Sequence, residues 1–549
     1  MTAEPAGPSG PRAAATLGGV VATIALVTAL SRVIGFGRTW VLAQTVGTSC
    51  LGTAYTTANA VPNLVFEIVV GGALAGSVVP LLAGPLARGD LPRARQITSA
   101  LYGWVLLVLV PAAVVVALAS GPITGLLLGD GADSGCAARA VSDTAASMLV
   151  VFALQIPIYG LTVVAQGSLQ AAHRFLAPAL APLLSSLVVI VAYLGYAALA
   201  GDTAGAAVGV TGPELVVLTW GTTLGVAVLL VSQLPAASRG RLLVRPSLGF
   251  PDGVVGKARA LAVAGLVTVA AQWLAYGVSL RLVNDRGPEG AAVVYLLAWT
   301  VFLLPWAVLV FPLATGVFPR LSAMHEHGEH EDFARATAGL LRGSVLLAFL
   351  GAAGVAALAK PAAAFLVLGA PGRPSVEALA AALVGFAPGV VGFALIAVTG
   401  RVLYASHRGA VAGSVTMGGW LLVIGAAVWL TGRSSENGVV AAVATATSAG
   451  LLVAAVALVT LLGRSFGRSA LAGLTRSSVA AVLSGGGAVV VGRLVADRFT
   501  WTSTGGALVA AVAAGLSVVV AFTAVVFVLD RSDLGALARR RPATTAPDC

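Results

Sequence analysis

Ser31-Arg32-Val33-Ile34-Gly35-Phe36-Gly37-Arg38, and after it Pro62-Asn63-Leu64-Val65-Phe66-Glu67, lie inside two long apolar segments between Leu30 and Pro80. Their three charges organise the reading of the chain. An ionisable group in hydrocarbon costs roughly 2.5 to 3.5 kcal/mol even on a lenient insertion scale, so such groups face a cavity, a partner or a substrate. The surrounding chain has 549 residues, 58% of them hydrophobic and 10% charged, and a mean hydropathy of +0.97. That composition excludes a soluble domain and indicates an all-α polytopic membrane protein.

Fourteen stretches of about 20 or more mainly apolar residues, the length needed to cross a bilayer, run from 17–46 to 504–529. The second is 54–86, the fourth 141–170, the seventh 258–283 and the eighth 291–320. With the amino terminus placed in the cytoplasm, 22 basic residues fall on the cytoplasmic side and eight outside; Arg32 and Arg38 complete the 32. This bias follows the positive-inside rule and accounts for the net charge of +11 without nucleic acid, for which no basic domain with interleaved aromatics exists. Both termini are thereby expected in the cytoplasm. Residues 1–16, Pro-, Gly- and Ala-rich, read as a tail entering the first span, because the following apolar run is too long for a cleaved signal peptide.

The chain repeats itself. At an offset of 234, residues 152–174 and 386–408 share eight identities in 23 positions, both copies ending in His-Arg, as His173-Arg174 and His407-Arg408. At an offset of 239, Ala75, Val78 and Pro80 match Ala314, Val317 and Pro319. A repeat of six spans keeps its orientation in the membrane, so the halves are expected to be related by an axis along the membrane normal. The organisation read from this is an N-lobe at 17–236, a cytoplasmic linker at 237–257, a C-lobe at 258–462, two further helices at 472–529, and a basic cytoplasmic tail at 530–549.

Arg32 and Arg38 are six residues apart, about 9 Å along a helix and on roughly opposite sides of it, so they are not expected to point the same way. Either one of them snorkels to the cytoplasmic interface or pairs structurally with Glu67, or at least Arg32 lines a cavity and meets an anionic group such as phosphate, for which the guanidinium fork is suited. Glu67 either neutralises an arginine or serves as a proton or cation coupling site. Asn59, Asn63, Gln155, Gln166, Gln170 and Gln272 either line that cavity or bond between helices. Pro62, Pro305, Pro312 and the pair Gly71-Gly72 are hinge candidates, since bent helices can open and close a cavity between lobes.

Other features lead away from catalysis. His325-Glu326-His327-Gly328-Glu329-His330-Glu331-Asp332 lacks His-Glu-x-x-His spacing and reads as a solvated loop rather than a metal site. Gly256-Lys257 lacks the P-loop spacing, and no nucleophile or paired-carboxylate constellation is present, so neither an enzyme nor a cofactor is expected. Cys50, Cys136 and Cys549 have no metal or redox spacing and are read as unrelated, although Cys50 and Cys136 share a predicted face.

The segment from Ser31 to Arg38, followed by Val61-Pro62-Asn63-Leu64 and Val78-Val79-Pro80-Leu81-Leu82, resembles the opening of the MurJ/MviN family of the multidrug/oligosaccharidyl-lipid/polysaccharide exporter superfamily. Gln170-Ala171-Ala172-His173-Arg174-Phe175-Leu176-Ala177-Pro178 and Gly316-Val317-Phe318-Pro319-Arg320-Leu321-Ser322 are similar to further segments of it. The resemblance implies fourteen helices in two six-helix lobes plus two, a bacterial cytoplasmic-membrane location, and a cationic central cavity opening alternately to the two faces. It also implies a substrate, the undecaprenyl-linked peptidoglycan precursor lipid II, with Arg32 and Arg38 matching the family's first-helix arginines. The chain departs from the pattern at Phe66 and Glu67, where many members carry arginines, at Gly71 (glutamate), Thr53 (aspartate) and Thr300 (arginine).

The function expected is therefore a lipid II flippase working by alternating access in peptidoglycan synthesis, with coupling to membrane potential or a monovalent ion. Membrane lipids, and cell-wall or regulatory proteins bound in trans, are the expected partners. Two other readings stand beside it: an ion-coupled exporter of another lipid-linked, amphipathic or cationic substrate with Glu67 as the coupling acid, and a non-transporting scaffold of cell-wall synthesis.

Overall fold

A computed structural model of the chain describes residues 11–68, 75–129, 137–201, 212–251, 254–372 and 375–529. The secondary structure of the described residues is helical, as it must be where no water satisfies backbone polar groups. The first half holds α1 (Pro11–Thr45), α2 (Cys50–Phe66), α3 (Ala75–Ala87), α4 (Leu91–Leu118), α5 (Ser120–Leu128), α6 (Ala138–Phe152), α7 (Gln155–Ala171), α8 (Leu176–Ala200), α9 (Pro213–Val231) and α10 (Leu234–Arg239). The second holds α11 (Val254–Arg286), α12 (Ala291–Pro305), α13 (Phe311–Glu326), α14 (His330–Ala357), α15 (Ala359–Val367), α16 (Val376–Ala405), α17 (Gly409–Thr431) and α18 (Val439–Phe466). The chain continues into α19 (Leu474–Ala496) and α20 (Thr504–Leu529).

Twelve helical stretches among the described residues are long and apolar enough to cross a membrane, against the fourteen spans predicted. The described parts of the second predicted span are α2 and α3, of 17 and 13 residues, on either side of 69–74, which lie outside the described residues. The seventh corresponds to α11, 33 residues long. The hinge candidates Gly71 and Gly72 lie outside the described residues, as do Cys136 and Cys549. Cys50 is disulfide-bonded, which corrects its reading as an unrelated cysteine.

Two predicted spans are interrupted where hydropathy sees no break. The fourth divides at Ala153 and Leu154 between α6 and α7. The eighth loosens into a π-helical turn at Trp306–Val310 between Pro305 and Pro312. Pro312 has no N–H to donate and its ring crowds the carbonyl four residues back, so the wider turn relieves the clash. Arg401 of α16 packs over this turn, its guanidinium 5.6 Å from the Trp306 ring centre and 5.3 Å from that of Phe311.

The internal repeat extends well beyond its sequence identities. Shifted by 239 residues, the bounds of α4 and α5 coincide with those of α14 and α15. The turns before them also match: Gly89 and Gly328 have φ of 71° and 73°, and Asp90 N–H donates to Pro85 O at 2.9 Å as Glu329 N–H donates to Met324 O at 3.0 Å. At the 234 offset, His173 and His407 both adopt left-handed backbone, with φ of 57° and 60°. Arg174 N–H donates to Leu169 O, and Arg408 N–H to Leu403 O, each at 2.8 Å, closing the same helix-ending motif. Each arginine then ties its turn to the end of a neighbouring helix. Arg174 donates to Ala236 O in α10 at 3.2 Å, and Arg408 to Ser465 Oγ in α18 at 2.6 Å.

Packing follows the same division. Two buried clusters are built from residues of the first half, around Tyr55, Phe152 and Tyr193 and around Val78, Ile97 and Val164. The largest runs through the second half and takes in Ala43 and Ala60 from the first, with Phe36, Trp40 and Leu64 packed against it. A fourth seats α19 and α20 against α14 through Val345, Ala353, Ala488 and Val518. Small residues let helices approach, as is usual in lipid. Ser448 of α18 uses the opening made by Gly385 and Gly389: it donates to Gly385 O at 2.6 Å and accepts from Gly389 N–H at 2.9 Å. It thus stands within the hydrogen-bond ladder of α16 beside Pro388. The segment after α10 is strapped along α4 by Ser247 N–H to Ser99 O at 3.0 Å and Trp104 Nε1–H to Leu248 O at 3.2 Å.

Candidate functional site

At one end the two halves are fastened together. Thr48, in the turn after α1, donates its N–H to Pro371 O at 2.9 Å and forms an isolated parallel bridge with Gly372. Trp40 Nε1–H donates to Phe365 O at 3.2 Å while its ring stacks on Phe365, and Gln44 donates to Leu366 O at 2.9 Å. Asn284 of α11 reaches Thr57 Oγ1 and Leu127 O, both at 3.0 Å, and Arg281 donates to Leu126 O. Two glycines permit this closure. Gly290 and Gly372 have φ of +77° and +92°, and a Cβ at either would collide with the Thr48 backbone.

Beneath that closed end lies a cavity of about 880 Å³ between the halves. It runs along α1 from Leu42 to Thr28, which at 1.5 Å per residue is about 21 Å, and reaches Gln170 and Phe175 at the turn after α7. Arg32, Arg38, Asn59, Asn63 and Glu67 all line it. The two arginines therefore face one space despite their separation around the helix. A wide cavity wraps around α1, which the angle between two residues of a single helix does not reveal.

The charges are not spent on one another. Among the described residues the ion pair present is Arg335 with Asp332, on the surface. Arg32, Arg38 and Glu67 make no side-chain hydrogen bond or ion pair with described residues. Structural pairing of Glu67 with an arginine is thus not what the fold contains. Pro62, buried in α2, directly precedes Asn63, whose Oδ1 accepts from Tyr159 Oη at 3.1 Å.

The remaining polar candidates divide. Gln166 and Gln170 line the cavity; Gln155 is buried and donates to Thr223 Oγ1 at 3.1 Å; Gln272 is not part of the lining. Phe66 and Thr300, where the family pattern has arginines, also line it, whereas Thr53 lines a separate small pocket of about 30 Å³ beside Asn284 and Glu289. The sequence reading missed the aromatic and hydroxyl lining: Tyr55, Tyr159, Tyr193 and Thr222 on one side, Trp273, Tyr276 and Trp299 on the other. Tyr55 Oη lies 2.8 Å from Tyr193 Oη and 3.0 Å from Thr222 Oγ1. The cavity thus pairs a wall carrying charge and hydroxyls with a mainly aromatic one.

A helical fold of two matching halves around a charged cavity agrees with what comparison finds, for residues 42–531 match the family described as "Lipid II flippase MurJ". The chain belongs to the MurJ family. It is similar to proteins named "Probable lipid II flippase MurJ" from Rhizobium meliloti, 28% identical over 183 residues, and from Synechocystis sp., 28% identical over 257 residues. These alignments cover 33% and 44% of this chain, and the chain spans 34% and 44% of the length of those MurJ relatives. Among solved structures, "Lipid II flippase MurJ, inward closed conformation" superposes with a TM-score of 0.70 at 16% identity, covering 92% of this chain and 98% of that one. An inward-facing multidrug resistance MATE family transporter of the MOP superfamily follows at a TM-score of 0.63 and 15% identity, over 81% of this chain and 94% of that one. At such identities these two establish the MurJ-type fold and nothing finer.

Proposed function

We propose that this chain is a lipid II flippase and not an enzyme: it takes the lipid-linked peptidoglycan precursor from the cytoplasmic leaflet and presents it at the outer one. The observation that carries the reading is the pair of arginines, Arg32 and Arg38, which line an intramembrane cavity between the two halves and have no ion-pair partner among the described residues. Two guanidinium groups suit a diphosphate, because each offers a planar fork of donors to phosphate oxygens. The polyprenyl chain would stay in lipid while the head occupies the cavity.

The positive-inside bias supports an orientation with the Thr28 and Gln170 end of the cavity at the cytoplasm and the Thr48–Gly372 closure at the outer face. In this assignment the structure is inward-facing, with its outer gate shut. Rocking of the lobes, with α2 bending at Pro62 and the eighth span at Pro305 and Pro312, would exchange the two openings. Membrane potential or a monovalent ion would drive the cycle.

The test is surface exposure of lipid II in bacteria depleted of their own flippase. Expression of this chain is expected to restore exposure, and Arg32→Ala to abolish it at equal protein level. No exposure from well-expressed wild-type protein would overturn the proposal.

A further inference from the structure

Opposite charges that share one cavity attract, so proteins ordinarily let them pair. Here Glu67 shares the cavity with Arg32 and Arg38, and yet forms no ion pair or hydrogen bond with any described residue. Helical winding loosens to the π type at Glu67 and Ile68, directly after α2, a distortion common at functional sites. Its neighbour Phe66 is fixed against Tyr159, ring centres 4.3 Å apart, and both rings line the same cavity as Glu67. A carboxylate that shares a cavity with aromatic rings suits an ammonium group, through charge-assisted hydrogen bonds and attraction to the ring faces.

Resting on the flippase reading, we infer that Glu67 is a specificity-determining residue that receives a free amine on the peptide of the transported head, while Arg32 and Arg38 hold its diphosphate. The cavity is then matched to a head carrying both signs of charge. This explains how one unpaired carboxylate is tolerated in a site for an anionic lipid: it is neutralised when the substrate enters. It also predicts discrimination against heads whose peptide amine is blocked.

The experiment uses the full chain in proteoliposomes, with lipid II bearing a free amine on its peptide and the same lipid with that amine acetylated, at subsaturating concentration. Wild type, Glu67→Gln and Glu67→Asp are compared after monodispersity is verified. Acetylation is expected to slow wild type by on the order of tenfold, the effect of one charge-assisted contact. Glu67→Gln should move the free-amine lipid at the acetylated rate and respond to acetylation by less than about twofold. Glu67→Asp should retain part of the discrimination. Equal sensitivity to acetylation in wild type and Glu67→Gln would overturn the inference. So would loss of transport of both lipids in Glu67→Gln together with loss of response to an imposed pH gradient, which would make Glu67 a proton-coupling acid. Wild-type protein that moves neither lipid would instead overturn the flippase reading beneath it.

Discussion

Gly372→Ala should force the outer gate open. In the closed structure Gly372 has φ of +92° and approaches the Thr48 backbone more closely than any Cβ permits. Placing a side chain at positive φ costs about 1 to 2 kcal/mol, and overfilling a packed contact adds about 1 to 3 kcal/mol. Together these disfavour the closed state by about 2 to 5 kcal/mol, a drop in its relative population of roughly 30-fold to a few thousand-fold. The alternative, outward-open state does not need this contact, so most of that energy appears as a population shift rather than as unfolding. A cysteine at Asn59, which lines the cavity, reports it through a membrane-impermeant maleimide added outside the cell. The parent protein without the added cysteine supplies the blank. Asn59→Cys alone should stay protected, and Asn59→Cys with Gly372→Ala should react. Gly89→Ala is the control, because Gly89 has φ of +71° but open space around it; it should leave Asn59→Cys protected. A folded Gly372→Ala protein whose Asn59→Cys remained unreactive from outside would refute the reasoning.

Ser448→Ala removes the hydroxyl bridging Gly385 O and Gly389 N–H and should lower stability by about 1 to 3 kcal/mol, seen as an earlier thermal transition in micelles. An unchanged transition would mean that the α16 ladder closes unaided. Arg401→Ala strips the guanidinium from Trp306 and Phe311 over the π-turn and should cost about 1 to 2 kcal/mol; Arg401→Lys should recover less than half of it, since a lysine cannot stack. Full recovery of stability by Arg401→Lys in the same thermal assay would contradict the stacking role. Tyr55→Phe should lose about 1 kcal/mol, from contacts with Tyr193 and Thr222, and narrow the polar wall without abolishing lipid II exposure.

Much of the fold was legible because the membrane simplifies the problem: a span must be long, apolar and helical. The repeat was legible too, since its His-Arg turns occupy the same left-handed geometry in both halves, where few residue types are accepted. What hydropathy could not show were interruptions in the ladder. The π-turn at Trp306–Val310, the break between α6 and α7, and the short α5 and α15 all carry apolar residues. The arginines stood out because charge in lipid is rare, but their common orientation depended on a cavity that belongs to no single helix. Tyr55, Tyr159, Tyr193, Trp273 and Trp299 were invisible as site residues for the opposite reason, being aromatics in greasy spans that look like any core. Cys50 carried no signal because pairing depends on distance and not on spacing.

Flipping of labelled lipid II by the purified chain in proteoliposomes tests the proposal that the α1 arginines handle the anionic head of lipid II. Wild-type protein should move the lipid to the opposite leaflet, with Arg38→Ala and Arg32→Ala each reducing the rate by at least about tenfold, as expected for loss of a charged contact. Transport undiminished in the Arg32→Ala, Arg38→Ala double variant would contradict the account.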